Sequence, residues 1–162
     1  MDRAPFTCLR QGEVFVIGGA IDERAQLQPL LRWATSKTLV LDLAGVTFVN
    51  SLGVREWVRM QTAAREAGLK VELRRVAELL MFQLNIVPAA RAASTIASFL
   101  ATYVCEVCGN EQEELLDVAR DRPLLEVGKA PPAPCRACGM GAHLSEAPEL
   151  YVSFLSGGSP LR

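Results

Sequence analysis

A single histidine, His143, stands in this chain of 162 residues. That scarcity removes most His-based metal centres and argues against a His-dependent catalytic triad. Charge of one sign is also missing: 17 Lys+Arg face 18 Asp+Glu, a net of -1, so no global basic field points to nucleic acid. No run reaches the ~18 consecutive apolar residues of a membrane span. The least charged stretch, residues 79–105, carries only Arg91 as a charge, but Gln83, Asn85, Pro88, Ser94, Thr95, Ser98 and Thr102 interrupt it. It reads as two buried elements on either side of Pro88. The start, Met1 to Phe6, lacks a basic region followed by an apolar run, so no secretory signal is visible and a soluble, cytoplasmic protein without membrane insertion is expected. Gly18-Gly19-Ala20 follows a strand-like segment, yet neither GxGxxG nor a Walker motif is present. With no nucleophile and base in view, the chain reads as a non-enzyme.

Half of the residues are hydrophobic and 22% are charged, which supplies a packed core and excludes a disordered chain. Residues 1–104 hold 12 basic and 9 acidic groups, whereas residues 105–162 hold 5 basic and 9 acidic, so the net charge swings from +3 to -4. The second segment also holds four of the five cysteines, with Pro131, Pro132 and Pro134 before its second pair. Two modules are expected: an α/β domain over 1–104 and a small four-cysteine module over 105–162.

In the first module Glu13-Val14-Phe15-Val16-Ile17 predicts a strand ending at Gly18-Gly19. Asp22 predicts the opening of a helix over 22–33, with Leu27, Leu30 and Leu31 on one face. A buried strand over 38–43 and a short extended piece, Val46 to Val49, lead to Asn50-Ser51, either of which can cap the next helix. That helix, over 52–67, places Val54, Trp57, Val58, Met60, Ala64 and Ala67 on one side and Arg55, Glu56, Arg59, Thr62 and Glu66 on the other, with Gly68 as its stop. Trp57 belongs to the apolar arc and is expected in the core. A strand over 69–73, a helix over 76–86 and a strand over 95–104 complete an α/β pattern with a largely parallel sheet. Residues 150–155 look like a closing strand. The acidic pair Asp22-Glu23 and the run Glu111 to Glu114 read as solvated faces.

Cys105-Glu106-Val107-Cys108-Gly109 and Cys135-Arg136-Ala137-Cys138-Gly139 are two CxxCG knuckles. A two-residue spacer lets both sulfurs of a knuckle face one point, and the glycine permits the turn that aims backbone N–H groups at them. Together Cys105, Cys108, Cys135 and Cys138 supply the closed tetrahedral set of a structural zinc site, with no open position for a catalytic water. A rubredoxin-type iron centre uses similar knuckles. Paired disulfides are disfavoured in a reducing compartment. His143 reads as a loop histidine and Cys8 as a buried residue of a first strand.

Asp42, Gly45 and the segment Asn50-Ser51-Leu52-Gly53 put a hydroxyl and free backbone N–H groups at a helix N-terminus, where negative charge is tolerated. The run Leu39-Val40-Leu41-Asp42-Leu43-Ala44-Gly45-Val46-Thr47-Phe48-Val49-Asn50-Ser51-Leu52-Gly53-Val54, followed by an amphipathic helix, resembles the centre of a STAS domain. The resemblance covers roughly residues 6–104, and Asn50 to Trp57 matches a subgroup that ends in a zinc ribbon. It implies an anti-sigma factor antagonist-like module that docks a partner through the 45–53 loop and the helix after it. Asn50, Ser51, Leu52, Gly53, Arg55 and Arg59 are the partner-binding candidates. The implied partners are an anti-sigma or histidine-kinase-like ATPase, or another STAS protein. In the antagonist branch the phosphorylated Ser directly precedes the Gly; here Leu52 holds that place, Asn50 replaces the Asp, and Ser51 is the candidate phosphorylation site. An uncharged loop would mimic the dephosphorylated, binding-competent state.

Two other functions compete. A nucleic-acid-binding zinc ribbon predicts a basic ribbon, against the net -4 here, although Arg55, Arg59, Arg65, Arg74 and Arg75 offer a basic patch on the first module. A STAS accessory subunit of a transport system is the other.

Overall fold

The computed structural model describes residues 3–34 and 36–156. Gly12, at φ +63°, turns β1 (Thr7–Gln11) back on β2 (Val14–Ile21) as an antiparallel hairpin, with Gln11 opposite Val14. β3 (Thr38–Val49), β4 (Lys70–Arg74) and β5 (Ser94–Ile96) then join β2 in parallel, giving the order β1-β2-β3-β4-β5. Alternation decides which face is inside. Phe15 and Ile17 of β2, Leu39, Leu41 and Leu43 of β3, and Val71 and Leu73 of β4 are buried, while Val14, Val16, Val40 and Glu72 are half-exposed. The buried face packs with α1 (Ser51–Glu66) and α2 (Glu78–Ile86), through Trp57, Met60 and Ala64 of the first and Leu80, Met81 and Leu84 of the second.

The second sheet is antiparallel, order β7-β6-β9-β8, built from β6 (Ser98–Cys105), β7 (Glu111–Asp117), β8 (Ala133–Pro134) and β9 (Gly141–Leu144). α3 (Val118–Leu125) follows β7 and α4 (Pro148–Val152) follows β9. The expected strand over 95–104 is therefore two strands in two sheets, parted at Ala97. Its N–H donates to Leu73 O at 2.8 Å and its carbonyl accepts from Val118 N at 2.9 Å, so one residue bonds both layers. The change of sheet thus lies several residues before the module boundary expected at 104.

The two layers are sewn together. Val76 bridges Phe99 through Val76 N to Ser98 O at 3.1 Å and Leu100 N to Val76 O at 2.9 Å. Glu78, in the first turn of α2, accepts from Thr102 N (2.9 Å), from the Thr102 hydroxyl (2.8 Å) and from the Tyr151 hydroxyl. Tyr151 stacks on Phe99 at 6.2 Å and tilts against Phe82 at 5.3 Å, so one apolar core runs through both sheets.

Several expectations are corrected by the structure. Residues 22–33 form no α-helix: Asp22 accepts from Arg24 N at 2.9 Å and pairs with its guanidinium at 2.8 Å, and a 3-10 turn follows over Gln28–Trp33 with Pro29 at its start. Asp22 is accordingly buried rather than a solvated acid. Residues 150–155 are not a strand, because Pro148 opens α4 and Asn85 holds the turn, donating to Leu150 O (2.7 Å) and Tyr151 O (2.9 Å) and accepting from Phe154 N (3.1 Å). His143 lies in β9 instead of a loop. The segments 38–43 and 46–49 fuse into one long β3, where a Cβ on Gly45 would stand 3.0 Å from Ile17 O. Among the described residues no helix is long and apolar enough to cross a membrane.

Two measurements test this frame. Glu78→Ala strands three donors, and hydrogen bonds to a charged group are worth ~1.5–3 kcal/mol each. Urea unfolding should show a loss of ~3 kcal/mol or more, with fluorescence and circular dichroism still changing in one transition; two separated transitions would mean that the sheets stand independently. Asp121, near the start of α3, accepts from Arg120 Nε and Nη2, each at 2.7 Å, and from Asp117 N at 2.9 Å. The Arg120 hydrogen bonds, foremost, hold its carboxyl below the ordinary range. A depressed folded value gives stability that is present above the unfolded value, ~3.9, and lost as pH falls through the folded one. Asp121→Asn should flatten acid unfolding below pH ~4, and an unchanged acid profile would remove this ion pair from the account.

Candidate metal centre

β6 ends at Cys105, and the turn to β7 is a knuckle: Gly109 N donates to Cys105 O at 2.8 Å and Cys105 N to Asn110 O at 3.0 Å. The same pattern recurs between β8 and β9, with Gly139 N to Cys135 O at 2.8 Å and Cys135 N to Met140 O at 2.6 Å. Gly109 and Gly139 hold φ of +70° and +74°, the left-handed conformation that glycine adopts without a Cβ clash. Pairing of β6 with β9, Cys105 opposite Ala142, sets the two knuckles side by side.

The result is one cluster. The sulfurs of Cys105, Cys108, Cys135 and Cys138 lie within 4.8 Å of one another, and Cys105–Cys138 and Cys108–Cys135 stand 3.6 Å apart. Four sulfurs at ~2.3 Å from a central ion are ~3.8 Å apart, so the set fits a tetrahedral metal. A disulfide needs ~2.05 Å, and all four cysteines are free. The first cysteine of each knuckle is buried and the second exposed. The cluster can therefore hold a metal ion between a sheet-facing and a solvent-facing pair of sulfurs.

Electrostatics favour a cation here. Cys138 N–H, then burial acting the other way, then Ala137 N–H set the Cys135 thiol, which is drawn down to about 6. Met140 N–H lowers Cys138, but the neighbouring sulfurs and burial outweigh it and push that thiol up to about 12. One thiolate forms readily and then opposes the others; a bound cation removes that opposition and lets the set deprotonate.

One tie was not legible as function. Gln112, inside the acidic run expected to be solvated, is buried and spans the knuckles: its Nε2 donates to Pro134 O at 2.9 Å and its Oε1 accepts from Arg136 N at 2.8 Å. Arg136 reaches back to Glu113 O (2.8 Å) and Glu114 (2.9 Å). The alternation of Glu111 and Glu113 outward with Gln112 inward was the available signal. His143 stays out of the cluster, with Nε2 at 3.6 Å from Glu106 Oε1. Cys8 also lies apart, half-buried in β1, and burial raises its thiol.

The loop candidates form a second, separate surface. Asn50 is the cap of α1, its Oδ1 accepting from Gly53 N at 2.7 Å, while its Nδ2 donates to Glu23 at 3.2 Å. Ser51 and Leu52 are exposed, Leu52 by 40%. Gly53 is buried, and a Cβ there would fall 1.9 Å from Ile21 O, so glycine lets α1 start against the end of β2. Arg55 and Arg59 flank Glu56 at 3.5 and 2.7 Å, with side chains 55% and 58% exposed. Trp57 is in the core as expected, its Nε1 donating to Ala90 O at 2.8 Å.

Cys135→Ser should cost the chain its metal. The wild-type protein is expected to carry one ion per chain, and the variant to release it to a chromogenic chelator at far lower concentration and to lose the protection of β8 and β9 in amide exchange. Retained metal with unchanged exchange would dismiss the cluster as a metal site. No family model matches the chain, and no curated protein matches it.

Proposed function

We propose that the protein is a non-enzymatic, cytoplasmic regulatory module that captures a protein partner through the 45–53 loop and the outer face of α1, with zinc in the four-thiolate cluster as a structural staple. The observation that carries this reading is the rigid display at the start of α1. Gly53 pressed on Ile21 and the Asn50 cap fix the backbone, while Ser51, Leu52, Arg55 and Arg59 point their side chains into solvent. An apolar side chain between a hydroxyl and two guanidinium groups on a held backbone is suited to docking, because little conformational entropy is lost on binding.

Zinc is the natural ion for four thiolates, and a closed set of four, joined by no other His, Cys, Asp or Glu among the described residues, keeps it structural. Resemblance of the region around Asn50 to STAS domains supplies the partner class: an anti-sigma or histidine-kinase-like ATPase, or another STAS protein. The antiparallel first strand, the parallel strands after it and the helix opening at Asn50 are compatible with that resemblance. Ser51, exposed at the first position of α1, is where a kinase would act, and a phosphate there would replace a neutral surface by an anionic one.

The nucleic-acid reading has less support. Of its five arginines, Arg74 is paired with Glu72 at 2.6 Å, Arg75 with Asp42 at 2.6 Å, and Arg55 and Arg59 share Glu56. Phosphate contacts would have to displace those carboxylates.

Affinity capture with the full, metal-loaded chain from its native cytosol tests the proposal, with nuclease present and with and without ATP. A kinase-like ATPase or STAS protein should be retained by the wild type and lost by Arg55→Glu/Arg59→Glu and by Leu52→Asp, while each variant keeps stability within ~0.5 kcal/mol, as surface changes do. Equal capture by the variants would remove this face from the function, and loss of capture on nuclease treatment would move it to nucleic acid.

A further inference from the structure

Among the described residues, three buried side-chain atoms lack a hydrogen-bond partner: Gln61 Nε2, Arg91 Nε and Ser94 Oγ. All three belong to one neighbourhood. Gln61, fully buried on α1, accepts from Ala93 N at 3.2 Å, so it stands behind the turn that links Arg91 to Ser94. Arg91 ends the 3-10 turn Pro88–Arg91, and Ser94 begins β5, the edge strand of the first sheet.

Arg91 is unusual in this chain. Every other described arginine is exposed, whereas Arg91 is half-buried, and among the described residues it has neither an ion pair nor a side-chain hydrogen bond. Burial draws its guanidinium below its ordinary pKa. A charge withdrawn from water without a counter-charge is costly, and proteins hold such groups where an opposite charge arrives.

Arg91 and Ser94 line the same open groove of about 440 Å³, a volume in the range of small-ligand sites. Thr95 and Arg122 add a hydroxyl and a second guanidinium to its wall, Arg122 also bonding Glu126 at 2.8 Å. The remaining wall is apolar, with Ile96 from β5 and Phe154 and Leu155 from the 3-10 turn Ser153–Ser156. Among the described residues no carboxylate lines the groove.

We propose that this groove binds a small organic oxyanion, a carboxylate or phosphate monoester, whose head meets Arg91 and Ser94 and whose apolar body lies on Ile96, Phe154 and Leu155. The guanidinium fork and a hydroxyl donor recognise either head through charge-assisted hydrogen bonds. Because Ser94 begins the first sheet's edge strand and Arg91 ends the turn just before it, while Arg122 and Phe154 come from elements after β7, the bound anion touches both layers of the fold.

The test uses the full, metal-loaded chain at constant ionic strength, with hexanoate, inorganic phosphate and uncharged hexanol as probes. Two readouts are followed: the thermal midpoint and the Arg91 Nε–Hε resonance. Hexanoate should raise the midpoint saturably and move the Arg91 resonance over the same concentrations. Phosphate should do so more weakly, for want of an apolar body, and hexanol should leave the resonance in place. Arg91→Met should weaken hexanoate by about tenfold or more, as expected for a charge-assisted contact, while Arg65→Met, at an exposed arginine outside the groove, should bind like wild type. If Arg91→Met does not fold, the wild-type resonance alone decides. An Arg91 resonance unmoved by hexanoate and phosphate would mean that water alone satisfies these groups. Hexanol equalling hexanoate, or undiminished binding by Arg91→Met, would equally overturn the proposal.

Discussion

The constraint on which the rest depends is the passage of the chain from one sheet to the other at Ala97. Its N–H is spent on Leu73 and its carbonyl on Val118, and Val76, just past β4, bonds Ser98 and Leu100 of β6 through its own N–H and carbonyl. Buried peptide groups must be paired, so the two sheets are held at this edge by backbone before any side chain is considered. Phe99 of β6, Tyr151 of α4 and Phe82 of α2 then pack ring against ring across the layers. Glu78 fixes the far side, its carboxylate reaching both β6 and α4. A C-terminal segment of 58 residues with few aromatics is too small to bury a core alone. It borrows the core of the first sheet, and its cysteines are presented from strands that this core holds.

The four sulfurs meet because of the same seam. β6 leaves Ala97 as a long strand whose inward residues are Phe99, Ala101, Tyr103 and Cys105. The alternation that buries Phe99 in the shared core therefore also turns Cys105 toward the cluster. Tyr103, on the same face, donates to Pro131 O at 2.8 Å and so anchors the chain just before the second knuckle. Gln112 and Arg136 complete the frame from the other side. A site framed by strand register and side-chain ties can keep four mutually opposing thiolates near one point, and a structural ion is worth ~10–16 kcal/mol of apparent binding energy in small metal domains.

How much of this was legible varied with the range of the interaction. The CxxCG pairs, the amphipathic helix with Trp57 inside and Arg55 and Arg59 outside, and a helix cap at Asn50 or Ser51 are written within a few residues, and each is found, the cap at Asn50. Residues 22–33 and 150–155 were misread because hydrophobic spacing alone does not register Asp22 turning back on Arg24, or Asn85 gripping a turn 65 residues away. The break at Ala97 has no local mark at all. Its neighbours Ile96 and Ser98 suit a strand equally well, and only pairing with Leu73 and Val118 divides them. Gln112 was hidden by the charges around it, and Arg91 by the low-charge stretch in which it reads as a lone interruption.

These distant ties also bring the two surfaces of the first layer into one mechanical unit. α1 carries Arg55 and Arg59 outward, while its inner side donates from Trp57 to Ala90 O and accepts at Gln61 from Ala93 N. Ala90 and Ala93 bracket Arg91. The turn that bears the orphan guanidinium is thus hydrogen-bonded from both sides of that residue to the helix whose outer face is exposed. Helices are stiff over four turns, and buried polar bonds are costly to leave unmade. Any rearrangement that drew Arg91 toward an anion would have to strain those two bonds or carry α1 along with the turn. Gly53 seated on Ile21 and the Asn50 cap oppose the second course, so the turn is tied to a fixed helix and Arg91 is held at the groove rather than drawn to it.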